Sequence, residues 1–473
     1  MEYSAARRVP HTIPASTFWK AVAPLVPPMV KSVATTGFAR AANLVSADVG
    51  AVWEEKARRA GAEAISRAQK TYFDKPGLDT LTIRRASSVG RAVGELGAFY
   101  MRLKVTFGLD FDGSAAYNLA LLPRTGYDAL MVSGLVAGRT SGYFLPSSVR
   151  HTLWWDSAEG GAPRPLPPGH PLPLVRRFGP PTSLGDLGAD IDDMYWAEAF
   201  GQPVKVVRVG EGASRRWIVV IPGTDHVEAR TEPNPADVET NMEEELNIAS
   251  DLRLGVIAAV RDAMSRHGLS EEEMVGEHVL AAGHSLGGMV AVALAAADPR
   301  DVGFTVDRVL TMGSPARRLR LRPDVSMVAV EHVQDIIPAF DGVPRRDMDQ
   351  RVTYTHRLTR PRLNPLFYAH SSSTYTETVR RLEGRSAVVP WGRLPETVAA
   401  LQDYLPNGED TDVRVMHYYV WREVYSDHET SEEKSLDVGR PDGWRPVSFE
   451  GEITLPEDVD QPLKEKIARA KGK

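Results

Sequence analysis

The chain contains no cysteine. Disulfides, thiolate metal sites and cysteine nucleophiles are therefore excluded in any redox compartment. Long apolar runs are also missing: no stretch approaches the roughly 18 to 20 uninterrupted apolar residues that a membrane-spanning helix needs. Near the start, Arg7 and Arg8 precede a segment broken by Pro10, His11, Pro14, Lys20, Pro24, Pro27 and Pro28. Those residues interrupt the apolar core of a cleavable signal, so a cytoplasmic protein is expected, with export lacking a conventional signal as the alternative. Charge of one sign is scarce as well. The 56 Lys and Arg against 62 Asp and Glu leave a net charge of -6. That balance supplies no broad positive field for a phosphate backbone, and nucleic acid is not an expected partner.

What is present is a 473-residue chain with 42% hydrophobic and 25% charged residues, an ordinary globular composition. Residues 1–160 read as a helical N-terminal region. Val45, Val52, Trp53, Ala57, Ala60, Ala64 and Ile65 recur at helical intervals, and Val93, Leu96, Tyr100 and Leu103 mark a second helix over Ser88 to Val105. These stripes predict core packing, with peripheral membrane contact as the sharper alternative. Residues 161–181 hold Pro163, Pro165, Pro167, Pro168, Pro171, Pro173, Pro180 and Pro181 and read as a linker.

From 182 to 400, apolar strands alternate with helices, the pattern of a mainly parallel sheet flanked by helices. The expected strands are Val204 to Val209, Trp217 to Ile221, His278 to Ala282, Val309 to Met312 and Met327 to Glu331. Between the second and third, Asn234 as N-cap and Pro235 at the first position predict one helix through Leu246, Leu252, Val256, Ile257 and Val260, stopped by Gly268. Residues 401–473 read as an accessory tail with a strand over Val413 to Val424 and a charged helix from about Leu463.

The chemistry concentrates around Gly283-His284-Ser285-Leu286-Gly287-Gly288, which stands between a buried strand and a small-residue helix. A serine at so sharp a turn tolerates no side chains two residues before or after it, and Gly283 and Gly287 supply both. The following helix aims its N-terminal dipole at the serine, with the Leu286 amide first. This constellation resembles the nucleophile elbow of the α/β-hydrolase superfamily, and of class 3 lipases and esterases in particular, over about residues 180 to 380.

The resemblance implies an α/β-hydrolase fold with a triad in the order Ser, acid, His. It places the second oxyanion loop at Pro222-Gly223-Thr224-Asp225, with the Thr224 amide as donor and Asp225 as a weaker candidate. Asp335 follows the strand ending at Glu331, where catalytic groups gather in open sheets. Gly313-Ser314-Pro315 and Asp335-Ile336-Ile337-Pro338 look like their class 3 lipase counterparts. Asp341, Asp347 and Asp349 are fallback acids.

For the base, His370 in Phe367-Tyr368-Ala369-His370-Ser371-Ser372-Ser373 looks like the histidine loop of the same lipases. His356 and His417 sit within strand-like patterns and read as structural, and His428 is the remaining downstream candidate. His284 and His226 read as packing or orienting groups. No His-Glu-x-x-His spacing suggests a metal, and no cofactor is expected.

The expected activity is hydrolysis of a carboxylic ester, small-molecule or lipid, through an acyl-enzyme on Ser285. An acyltransferase with the same triad, and a non-catalytic binding protein on this fold, are the alternatives. Acyl chain, leaving group and oligomeric state are not encoded in these motifs.

Overall fold

The computed structural model describes residues 126–425, apart from 141–142, 196, 198–199, 226–229, 342–348, 360–364, 387–391, 409 and 411, together with the helical residues Val52, Lys56, Arg59 and Arg67. Its centre is one eight-stranded sheet. The strands are β1 (Ser147–Asp156), β2 (Gln202–Val209), β3 (Arg216–Ile221), β4 (His278–His284), β5 (Thr305–Met312), β6 (Ser326–His332), β7 (Arg351–His356) and β8 (Val413–Val424). Their spatial order is β1-β8-β2-β3-β4-β5-β6-β7. Strands β3 to β7 run parallel, while β1, β8, β2 and β3 pair antiparallel. The helices are α1 (Gly126–Thr140), α2 (Leu184–Tyr195), α3 (Val238–Glu245), α4 (Asp251–Ser265), α5 (Glu271–Val275), α6 (Leu286–Ala296), α7 (Pro299–Val302), α8 (Pro365–His370), α9 (Ser372–Ser386) and α10 (Leu394–Gln402).

The central strands are continuous apolar runs because both sheet faces are covered. In β3, Trp217, Val219 and Ile221 join a core with Leu252 and Val256 of α4 and with Val290 and Leu294 of α6. Ile218 and Val220 point the other way, into a core with Leu187 and Ile191 of α2, Val379 of α9 and Leu401 of α10. Each fully buried Val, Ile or Leu contributes roughly 1.5 to 3 kcal/mol. The two apolar layers therefore outweigh the ion pairs at the periphery. The sequence LGGMVAVALAA of α6 is apolar on every side, and its residues from Leu286 to Ala295 are buried.

Several expectations are corrected. The single helix from Asn234 to Gly268 is two helices, α3 and α4, separated by a turn in which Asn247 takes φ 56°. Asn234 Oδ1 instead accepts from the Ala236 amide at 2.9 Å, a local turn, and Asp237 caps α3 by accepting from the Thr240 amide at 3.0 Å. The helical reading up to residue 160 fails over β1, whose Leu153, Trp154 and Trp155 are buried in the sheet cores.

The strand over 413–424 is no accessory, since β8 lies inside the sheet between β1 and β2. The proline-rich segment has neither helix nor strand, as its composition predicts, but it is pinned down. Val175 is buried, the Arg176 and Arg177 amides donate to Asp193 Oδ2 at 2.7 and 2.9 Å, and Lys205 Nζ donates to the Gly179 carbonyl at 2.6 Å. Of the N-terminal stripes, only Val52 is described; the rest, the Ser88 to Val105 helix and the helix from Leu463 lie outside the described residues. Among the described residues, no helix is long and apolar enough to cross a membrane.

Candidate active site

Ser285 joins β4 to α6 with φ 53° and ψ −121°, a left-handed position that a serine occupies only under constraint. The constraint is steric. A Cβ on Gly283 would lie 2.3 Å from the Gly287 carbonyl carbon, and one on Gly287 would lie 2.1 Å from the Ile221 carbonyl oxygen. The Ser285 amide donates to the Met312 carbonyl at 2.9 Å, which fixes the turn against β5.

His370 ends α8, and its Nε2 lies 3.1 Å from Ser285 Oγ. Its Nδ1 lies 2.8 Å from Asp335 Oδ2. The structure thus brings together Ser285, His370 and Asp335, residues from three separate segments of the chain. Asp335 is fully buried, while the His370 side chain keeps 21% exposure, so the group opens to solvent at the histidine.

The carboxylate is held on both oxygens. Tyr375 of α9 donates its hydroxyl to Asp335 Oδ2 at 2.7 Å, and the Ile337 amide donates to Oδ1 at 3.0 Å. Burial, and then the Asp335 charge, push the Tyr375 hydroxyl well above the ordinary tyrosine range, so it stays a donor. Its oxygen accepts the His332 amide at 3.1 Å. Gly313 at φ 63° lets the β5 turn pass this cluster, where a Cβ would lie 2.7 Å from the Tyr375 ring and 3.1 Å from Asp335 Oδ2.

Two further histidines hold the His370 segment. His332 Nδ1 lies 2.7 Å from the Ala369 carbonyl oxygen, and its ring stacks on Tyr375 at 3.8 Å. Burial depresses its pKa to about 4, which keeps the ring neutral. His284 Nε2 lies 2.8 Å from the His370 carbonyl oxygen, and its Nδ1 lies 2.8 Å from Tyr195 Oη. Burial, then the neighbouring His370, hold His284 far below the usual histidine range.

The loop after β3 backs onto the serine. A Cβ on Gly223 would lie 2.8 Å from Ser285 Cβ, so only glycine lets the chain approach so closely. Thr224 follows, its Oγ1 accepting from Asn241 Nδ2 of α3 at 2.9 Å. The Asp225 amide, the weaker oxyanion candidate of the sequence, is instead engaged with the Ala236 carbonyl at 2.9 Å. Leu286 opens α6 and so has no helical carbonyl for its amide.

Of the fallback acids, Asp341 is buried and ion-paired with Arg317 at 3.2 Å, Asp349 is exposed in the turn before β7, and Asp347 lies outside the described residues. His356 ends β7, and His417 is enclosed by Trp154, Trp155 and Phe178 on β8. His226 and His428 lie outside the described residues. Among the described residues, no group of three or more His, Asp or Glu side chains could hold a metal ion.

Sequence reasoning assigned no role to Tyr195, Tyr375, His332 or Asn241. Only Tyr375 left a trace, as the one aromatic in a run of serines and threonines beyond His370. Compared with known proteins, the chain matches no family model, no curated protein and no solved structure.

Proposed function

We propose that the protein is a serine hydrolase of the α/β-hydrolase fold that cleaves a carboxylic ester, small-molecule or lipid, in the manner of class 3 lipases and esterases. The observation that carries this reading is the unbroken hydrogen-bond line from Ser285 Oγ through His370 to Asp335, at 3.1 and 2.8 Å, on a serine with φ 53°. An ordinary surface serine has neither the base nor the strained backbone.

In this mechanism His370 Nε2 takes the Ser285 proton as Oγ attacks the acyl carbon. Asp335 fixes the tautomer with the proton on Nδ1 and stabilises the imidazolium. The developing oxyanion is met by the Leu286 and Thr224 amides. Collapse breaks the bond to the leaving alcohol, which receives the proton from His370. Water, deprotonated by the same imidazole, then attacks the acyl-enzyme and restores Ser285.

The test is labelling of purified protein by a fluorophosphonate, with aryl esters of increasing chain length as substrates. Wild type is expected to label and turn over, and Ser285→Ala is expected to remain folded while losing both. Wild-type rates in the Ser285→Ala protein would end the assignment.

A further inference from the structure

We propose that Tyr195 and His284 are positioning residues that hold the general base beside the nucleophile through a directed hydrogen-bond chain whose Tyr195 end packs against the oxyanion loop. The inference rests on the hydrolase reading and adds two residues to it.

The direction of the chain follows from what each atom can do. The His370 carbonyl oxygen only accepts, so His284 Nε2, 2.8 Å away, carries the proton. A neutral imidazole then has a bare Nδ1, and the Tyr195 hydroxyl at 2.8 Å must donate to it. With its proton so directed, the Tyr195 oxygen faces the loop after β3, where Gly223 packs against it. A Cβ on Gly223 would sit 2.1 Å from Tyr195 Oη, which shows how closely the two are packed.

The bonds therefore run from Tyr195 through His284 to the backbone of His370, and Gly223 packs against the Tyr195 end. Gly223 precedes the proposed donor Thr224, and His284 precedes Ser285. The line of bonds and this contact thus flank the nucleophile on both sides.

His284 is excluded as the base itself, because its two nitrogens face Tyr195 and the His370 carbonyl. Its ring lies 4.7 Å from that of His370, inclined by 38°. A protonated His284 would set a second cation against the imidazolium formed in turnover and would reverse the bond to Tyr195. Its neutrality, maintained by burial, is what the device requires.

The experiment compares Tyr195→Phe, His284→Gln, His284→Leu and the double variant Tyr195→Phe/His284→Leu in the full chain, each checked for a cooperative thermal melt. Tyr195→Phe is expected to lower kcat roughly ten- to a hundredfold with little change in KM, since misplacement of about 1 Å has that effect. The double variant should be no slower than His284→Leu alone, and glutamine, which can donate to His370 and accept from Tyr195, should recover part of the loss. A Tyr195→Phe protein with wild-type kcat, additive losses, or a glutamine variant as slow as leucine would overturn the proposal.

A second readout needs no turnover. In ¹⁵N spectra of histidine side chains, one neutral Nε2–H ring should persist from pH 5 to 8, vanish in His284→Gln and shift in Tyr195→Phe. Titration of that ring in the wild type would refute the chain. Wild type without labelling or turnover would instead refute the hydrolase reading, leaving the spectra to decide whether the chain of bonds exists.

Discussion

His332 permits a quantitative test of how the His370 segment is held. Its ring is buried and bonded to the Ala369 carbonyl at 2.7 Å and to Thr378 Oγ1 at 2.8 Å. In the folded protein its pKa falls from 6.5 to about 4 because burial disfavours the charged ring. Between those values the unfolded chain binds a proton that the folded chain does not. The stability tied to the neutral ring is therefore complete above pH 6.5 and is lost as pH falls toward 4. At about 1.4 kcal/mol per pH unit, lowering the pH from 7 to 4.5 removes on the order of 2 to 3 kcal/mol.

His332→Gln cannot titrate, so it lacks this loss. At pH 7 the variant is expected to be the less stable protein, having lost the stack on Tyr375. By pH 4.5 the gap should narrow by about 2 to 3 kcal/mol. The gap is the quantity to follow, since burial raises Glu243 and Glu245 well above the carboxylate range and their titration runs in the opposite sense. Urea unfolding followed by tryptophan fluorescence, at pH steps from 4.5 to 7.5, measures it. A gap constant to within about 0.5 kcal/mol, the ordinary scatter of such comparisons, would show that His332 titrates alike in both states.

Asp335→Asn is expected to lower kcat by on the order of 10⁴, because an amide stabilises the wrong histidine tautomer; a loss below tenfold would move the acid elsewhere. Gly287→Ala puts a methyl 2.1 Å from the Ile221 carbonyl oxygen and 2.4 Å from that of Pro222, backbone atoms that cannot swing aside. It should cost about 1 to 3 kcal/mol or more by thermal melting and suppress fluorophosphonate labelling, and an unchanged melt would show the elbow to be loose. Tyr375→Phe removes the hydroxyl to which the buried His332 amide donates and which donates to Asp335. A stability loss of about 1 to 3 kcal/mol, together with slower turnover, is expected, and a protein equal to wild type in both would show that Tyr375 does not hold Asp335.

The local parts of the site were legible because their causes are local. Gly283 and Gly287 flank Ser285 since the turn excludes side chains, and that exclusion is written in adjacent positions. Asp335 could be placed because an apolar strand precedes it. The parallel half of the sheet announced itself through runs such as Val279 to Ala282, buried on both faces.

What escaped notice depends on distant packing. Tyr195 reaches His284 across 89 positions, and Tyr375 reaches Asp335 across 40. No periodicity marks such contacts. β1 was hidden for a related reason: its first half is only partly buried, so neither a strand alternation nor a helical stripe stands out in SSVRHTLWWD. The break at Asn247 was missed because the apolar spacing carries across it, while the turn is set by backbone conformation at one residue.

The place of β8 bears on how the chain reaches this state. Among the described residues β1 pairs with β8 alone, and Ser148 and Tyr425, bonded at the end of that pair, are 277 positions apart. Contacts of such span form slowly, because a long loop must close before any pairing energy returns. During synthesis, among the described strands, β2 presents an open edge and β1 lacks its partner until residues 413–424 leave the ribosome. The sheet therefore waits with an adhesive edge, and the last of its described strands to be made is the one that seals it.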